Sequence, residues 1–171
     1  MKRAVIMWRN RLKAAGLCGL LLLLSACKQE EVAVGEVAPQ LAAYDLQGKP
    51  VALDQWKGKQ VYLNFWSASC GGCLAEMAAL DKLSHEYHND IVVVAINTDP
   101  EQVDINPVLA QRNISYPVIR DQLGITQERY QVIGTPTSFM IDRNGKVTQL
   151  HQGARNEKDL ATLFQQWAAG A

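Results

Sequence analysis

Three kinds of hydrophobic pattern divide this chain. Residues 91–96 read Ile-Val-Val-Val-Ala-Ile, apolar at every position and mostly β-branched, the pattern of a parallel strand covered on both faces. Residues 60–66, Gln-Val-Tyr-Leu-Asn-Phe-Trp, are predominantly apolar and predict a buried central strand. Between them Met77, Leu80, Leu83 and Tyr87 recur at intervals of three, three and four, with Asp81, Lys82 and Glu86 off that stripe. The spacing predicts an amphipathic helix over 73–87, and strand, helix and strand make one β-α-β unit. Shorter strand-like pieces at 41–46 and 50–53 flank Gln47-Gly48-Lys49 and predict a β-hairpin. A second hairpin is expected from 137–142 and 146–152 around Arg143-Asn144-Gly145, because Asn-Gly between two strand patterns suits the tight hairpin turn. Leu160, Leu163, Phe164 and Trp167 mark an amphipathic helix over 157–168. Residues 100–114 are expected to form a helix inserted before a strand at 117–120, with a further short helix at 124–130. The order predicts a single α/β domain over 37–171: a central mixed sheet flanked by helices, with an N-terminal hairpin extension and an insertion after the β-α-β unit.

The N-terminus follows another logic. Residues 1–13 carry Lys2, Arg3, Arg9, Arg11 and Lys13 with no acidic residue, and residues 14–24 are an apolar run. That run is about 11 residues, well short of the roughly 20 that a permanent membrane span needs, so export followed by cleavage is expected. Leu24-Ser25-Ala26-Cys27 resembles the lipobox of bacterial lipoproteins. This implies a lipoprotein signal peptide at 1–26, a lipid on Cys27, and a short polar, acidic tether at 27–36 between membrane and domain. The alternative is an ordinary small-residue cleavage site, in which a Cys directly after Leu-Ser-Ala has no purpose. The expected location is the bacterial cell envelope, facing the periplasm.

Removing the leader changes the charge. The chain has 17 basic and 17 acidic residues, and five basic ones but no acidic one lie in the leader, so the mature protein has a net charge of −5. A nucleic-acid partner is excluded, since binding phosphates needs a basic surface. Of the four cysteines, Cys18 leaves with the leader and Cys27 is the anchor. Only Cys70 and Cys73 remain, so no structural disulfide framework exists, the domain stands on its own core, and the pair is free for chemistry.

Cys70-Gly71-Gly72-Cys73 falls where the central strand gives way to the helix. A helix N-terminus offers unsatisfied N–H groups and the positive end of the dipole, which favour thiolate at Cys70 over the free thiol of pKa about 8.5. Cys70 is the expected nucleophile, and Cys73, one turn on, the thiol that resolves the mixed disulfide. The two glycines leave the first turn lightly constrained and tune the redox pair. His85 and His88 make the spacing a near miss to a zinc finger. On a continuous helix, however, His85 lies about 18 Å from Cys73, whereas zinc ligands sit about 2.0–2.3 Å from one ion. No metal and no cofactor are expected. Glu76 shares the inward face of the helix, and two readings stand: a carboxylate whose stem curls to solvent, or a partly desolvated acid that moves the proton of Cys73.

The segment 132–142, with Gly134-Thr135-Pro136-Thr137 ahead of a strand, together with the upstream Cys-x-x-Cys, resembles the thioredoxin superfamily. Its TlpA and ResA type of exported, membrane-tethered oxidoreductases is similar over nearly all of residues 37–168, through Ala38-Pro39, Gly58-Lys59, Asn64-Phe65-Trp66, Cys70-Gly71-Gly72-Cys73, Glu76 and Gly134-Thr135-Pro136-Thr137. The resemblance implies a thioredoxin fold, a cis Pro136 facing the dithiol, a backbone at Thr135 that pairs with an extended substrate, and a proton-carrying Glu76. Asn64 replaces the buried Asp of many thioredoxins, Ser69 the usual Trp, and Gly72 the usual Pro. The implied activity is reduction of disulfides in exported proteins, as in cytochrome c maturation, by a monomer that draws electrons from a membrane donor of the DsbD or CcdA type. Two other functions compete: a thiol peroxidase, from the echo of Thr-x-x-Cys in Ser67-x-x-Cys70, and a copper- or haem-binding protein using Met77 and the histidines.

Overall fold

The computed structural model describes residues 30–170; the predicted leader and the expected lipid-anchor residue Cys27 lie outside them. The first hairpin is short, β1 (Ala43–Asp45) and β2 (Pro50–Val51), and a 3-10 turn at Leu53–Trp56 follows it. The β-α-β unit is β3 (Gln60–Trp66), α1 (Gly71–Glu86) and β4 (Ile91–Asn97). Beyond it come α2 (Asn106–Gln111), β5 (Val118–Arg120), α3 (Ile125–Arg129), the hairpin β6 (Thr137–Ile141) and β7 (Val147–Gln152), and α4 (Glu157–Ala169). Among the described residues the seven strands form one mixed sheet, ordered β2-β1-β5-β4-β3-β6-β7. β3 lies parallel to β4 and antiparallel to β6, in the middle of the sheet.

Alternation along β3 builds two cores. Tyr62 and Trp66 face α1 and α4, packing with Met77, Leu80, Leu83, Leu160 and Phe164. Val61, Leu63 and Phe65 face the other way and cluster with Tyr130 and with Phe139 and Ile141, their neighbours on β6. In that second core Phe65, Tyr130 and Phe139 form a cluster with ring centroids 5.0–5.8 Å apart. The Tyr130 hydroxyl donates to the Pro39 carbonyl at 2.7 Å, which ties Ala38-Pro39 to the domain.

Two expected helices are shorter than their patterns. In 100–114 only Asn106–Gln111 is helical. Pro107 fits only the first turn of a helix, and Asp104 Oδ1 accepts from the Asn106 N–H at 3.0 Å, so the segment before them turns instead. In 124–130, Gly124 (φ +69°) blocks an earlier start, and the buried Asp121 carboxylate accepts from the Thr126 and Gln127 N–H groups at 3.1 and 2.7 Å. The Asn-Gly turn is built as expected: Gly145 has φ +79°, and Asp142 Oδ1 accepts from Asn144 and Lys146.

The last part of the predicted tether lies on the domain. Val32 N–H donates to the Arg129 carbonyl, Gly35 N–H to the Val147 carbonyl, Val147 N–H to the Glu36 carbonyl and Ala38 N–H to the Gly145 carbonyl, at 2.7–2.9 Å. β7 is an edge strand, and this segment satisfies backbone groups at its start that would otherwise face water.

Candidate active site

Cys70 is the N-cap of α1. Its backbone is extended (φ −85°, ψ 100°), and its sulfur accepts from the Cys73 N–H at 3.1 Å. The two cysteines are joined as a disulfide with Cα atoms 5.3 Å apart. Cys70 is half-buried, whereas Cys73 is 0% exposed, so an incoming partner reaches the first sulfur and not the second. The loop that delivers Cys70 is pinned from the neighbouring parallel strand. Asp99, just past β4, accepts from the Ala68 N–H at 2.7 Å and the Asn97 side chain at 2.8 Å. Asp99 escaped the sequence reading. The signal available was its place at the carboxyl end of a parallel strand, where such sheets gather functional groups.

The Thr135–Pro136 peptide is cis. The register that pairs Phe65 with Thr137 brings Pro136 level with the end of β3, beside the dithiol. A Cβ placed on Gly72 would lie 3.6 Å from Pro136 Cδ, so the proline ring faces the first turn of α1. Pro136 is buried and Thr135 half-exposed; Ile133, two residues earlier, is 90% exposed. Gly71 is exposed with open space around it, while Gly72 is closely approached by Ala154.

Glu76 is 3% exposed, one turn beyond Cys73, and its carboxylate does not curl to solvent. One oxygen accepts from the Arg155 N–H at 2.6 Å. The Arg155 guanidinium donates to Tyr62 Oη at 3.3 Å and to Ser138 Oγ at 3.0 Å. Burial pushes the Glu76 carboxyl above the usual carboxylate range, opposed by the Arg155 N–H and by its positive charge. Burial likewise raises Tyr62, opposed chiefly by Ser138 and Arg155. Neither Arg155 nor Ser138 was singled out from the sequence.

The other candidates lie elsewhere. His85 Nε2 is 2.8 Å from Ser115 Oγ and His88 Nδ1 is 2.8 Å from the His85 carbonyl, at the far end of α1. Met77 is a core residue, 1% exposed.

The Redoxin family profile matches residues 33–166. The chain belongs to the Redoxin family. Within it, the chain is 34% identical over 134 residues to the thiol–disulfide oxidoreductase ResA of Bacillus thuringiensis subsp. konkukian, covering 78% of each chain. It is 30% identical over 136 residues to the thioredoxin-like protein YneN of Bacillus subtilis, covering 78% of this chain and 79% of that one. In structure it is similar to a thiol:disulfide interchange protein, DsbE, from Chlorobium tepidum. That TM-score is 0.73 at 35% identity, covering 81% of this chain and 99% of that one. This Redoxin is therefore an enzyme of the thioredoxin superfamily, a thiol–disulfide oxidoreductase of ResA type whose redox pair is Cys70 and Cys73. Among its described residues no helix is long and apolar enough to cross a membrane.

Proposed function

We propose that this Redoxin is a lipid-anchored reductase of disulfides in exported proteins, of the kind cytochrome c maturation requires. The observation that carries the mechanism is the grading of exposure along one helix: Cys70 accessible at the N-cap, Cys73 buried behind it, Glu76 buried one turn further on. In the reduced enzyme the Cys70 thiolate attacks one sulfur of a substrate disulfide. A Cys70–substrate disulfide forms, and the second substrate sulfur leaves as a thiolate that takes up a proton. Cys73 gives its proton to the Glu76 carboxylate and attacks the Cys70 sulfur, forming the Cys70–Cys73 disulfide and releasing the first substrate sulfur as thiolate. The substrate has gained two electrons and, with the Glu76 proton and one from water, two protons. A membrane dithiol donor of the DsbD or CcdA type returns the electrons to Cys70–Cys73.

Thr135 and Pro136 present the backbone against which an extended substrate pairs beside Cys70. Gly71 and Gly72 keep side chains away from that approach. Cys27 carries the lipid. Equilibrating the purified enzyme against glutathione buffers tests the direction of flow: a potential well below that of glutathione supports reduction, and one near the roughly −120 mV of a strong oxidant refutes it. For the anchor, membrane fractionation of a Cys27→Ser variant is expected to move the protein to the soluble fraction.

A further inference from the structure

Three residues of the turn after β7 touch three separate parts of the site. Gly153 N–H donates to the Pro136 carbonyl at 2.8 Å. The Ala154 methyl stands 3.2 Å from where a Cβ on Gly72 would be. Arg155 N–H donates to Glu76 at 2.6 Å, and its guanidinium reaches across to Tyr62 on β3 and Ser138 on β6. The turn thus contacts the cis-proline loop, the dipeptide between the cysteines and the buried acid, and the Arg155 side chain is what hooks it to the two central strands. Tyr62 and Ser138 lie on the same face of the sheet as the buried Tyr62–Phe164 ring pair, 5.2 Å between centroids, so the hook is seated against a packed wall.

We propose that Arg155 is a positioning residue for resolution by Cys73: anchored on Tyr62 and Ser138, it holds the 153–155 turn against Glu76 and fixes the carboxylate that receives the Cys73 proton. This rests on the reading of Glu76 as that proton acceptor. Glu76 belongs to the buried set of α1 with Cys73, Met77, Leu80 and Leu83, where an ionised carboxylate stands only if something compensates it. Arg155 compensates it twice, through its N–H and through its charge. Facing Glu76 from the surrounding elements are Tyr62 on β3, Tyr116 ahead of β5 and Arg155 itself. His151 on β7 couples to Arg155. Of these, Arg155 alone brings permanent positive charge, so its removal acts on ionised Glu76 in one direction. Without the guanidinium, Glu76 holds its proton to higher pH, and the base that Cys73 needs appears later in a titration.

The test is a single-turnover reaction of the reduced full chain, in detergent, with an aryl disulfide whose thiolate is coloured. The first burst reports attack by Cys70 and the second reports resolution by Cys73. In an Arg155→Met variant the pH midpoint of the second burst is expected to rise by ~0.5 unit or more, less than the roughly 1–3 units an adjacent opposite charge gives, because the guanidinium is partly exposed. Arg155→Lys is expected to restore at least half of that shift. In a Glu76→Gln background, Arg155→Met is expected to leave the second-burst profile where it was. A thermal melt of each variant separates folding from chemistry: a purely structural Arg155 lowers the melting temperature without moving the midpoint. A midpoint that ignores Arg155→Met, or a shift that persists in the Glu76→Gln background, overturns the positioning role alone. Absence of any second burst in the parent enzyme overturns the dithiol mechanism and this inference with it.

Discussion

The structure makes the effect of a side chain at Gly72 quantifiable. A Cβ at position 72 would sit 3.2 Å from the Ala154 methyl and 3.6 Å from Pro136 Cδ. Carbon atoms rest about 3.5–4.0 Å apart, so the proline contact is acceptable and the alanine contact is tight by ~0.3 Å or more. Ala154 cannot simply withdraw, because Gly153 N–H is bonded to the Pro136 carbonyl at 2.8 Å and Arg155 N–H to Glu76 at 2.6 Å. Overpacking of this kind costs ~1–3 kcal/mol, and the low end applies because Ala154 is itself exposed. Against it, replacing glycine by alanine in a helix gains ~0.5–1 kcal/mol. Gly72→Ala alone is therefore expected to change stability by little, the two effects nearly cancelling. In an Ala154→Gly background the clash is gone and the same substitution is expected to stabilise by the full ~0.5–1 kcal/mol. The coupling between the two sites, read from a double-mutant cycle, is then ~1 kcal/mol and favourable in the double variant. Urea denaturation of the four oxidised proteins measures it, provided their m-values agree. Additivity within ~0.3 kcal/mol would refute the contact as a determinant of this sequence, and with it the account of why glycine occupies position 72 here.

Other substitutions have effects of known sign. A Cys73→Ser variant is expected to accumulate a mixed disulfide on Cys70, visible by mass spectrometry after mixing with a disulfide peptide; peroxide consumption by that variant would instead favour the peroxidase reading. Because burial holds the Glu76 carboxyl above its ordinary range, the native state keeps a proton that the unfolded chain has released. Stability is therefore expected to fall as pH rises from the ordinary glutamate value of 4.5 through the raised native one. Urea titrations across that window should show Glu76→Gln removing the fall, and an unchanged slope would contradict it. Phe164 is fully buried against Tyr62, Tyr87 and Trp167, at 5.2, 6.0 and 6.5 Å between centroids, and Phe164→Ala is expected to cost ~3–5 kcal/mol in the same assay.

The elements that periodicity controls could be read before the fold was known. β3, β4, α1 and α4 bury long apolar stretches whose spacing leaves little choice of conformation, and the Asn144-Gly145 turn needs a residue that accepts positive φ. The helix expected over 100–114 was overdrawn because apolar spacing there says nothing about where a proline can sit, whereas Pro107 restricts the helix to begin just before it. At the site, Cys70 and Cys73 are legible because their spacing is itself the chemistry, and Pro136 through its surrounding segment. Arg155 is not. It lies in Gly153-Ala154-Arg155-Asn156, a polar stretch whose visible signal is the cap of α4: Asn156 accepts from the Asp159 N–H at 2.9 Å. Nothing local says that the arginine turns inward, because its partners Tyr62 and Glu76 are 93 and 79 residues away in sequence.

Those long-range partners explain part of an irregularity in the central strand. A strand buried at every position is expected to be apolar throughout, and β3 is so on the face of Val61, Leu63 and Phe65. On the opposite face it carries Gln60, Tyr62 and Asn64, and β6 sets Ser138 directly across from Asn64. Polar groups there cost stability unless they are bonded, and a core chosen for stability alone would replace them with aliphatic side chains. That face, however, is the one α1 covers with Cys73 and, three residues later, with Glu76, which helical geometry puts one above the other. If Cys73 resolves as proposed, it has to be dry enough to be protected and still lose a proton, so its acceptor is buried too, and a buried carboxylate needs partners behind it. Tyr62 and Ser138 are placed to hold the arginine that supplies them. Of the polar groups on that face, Tyr62 and its neighbour Ser138 are thus accounted for by the arginine they hold, and Gln60 by its bond to the Trp167 carbonyl at 3.2 Å.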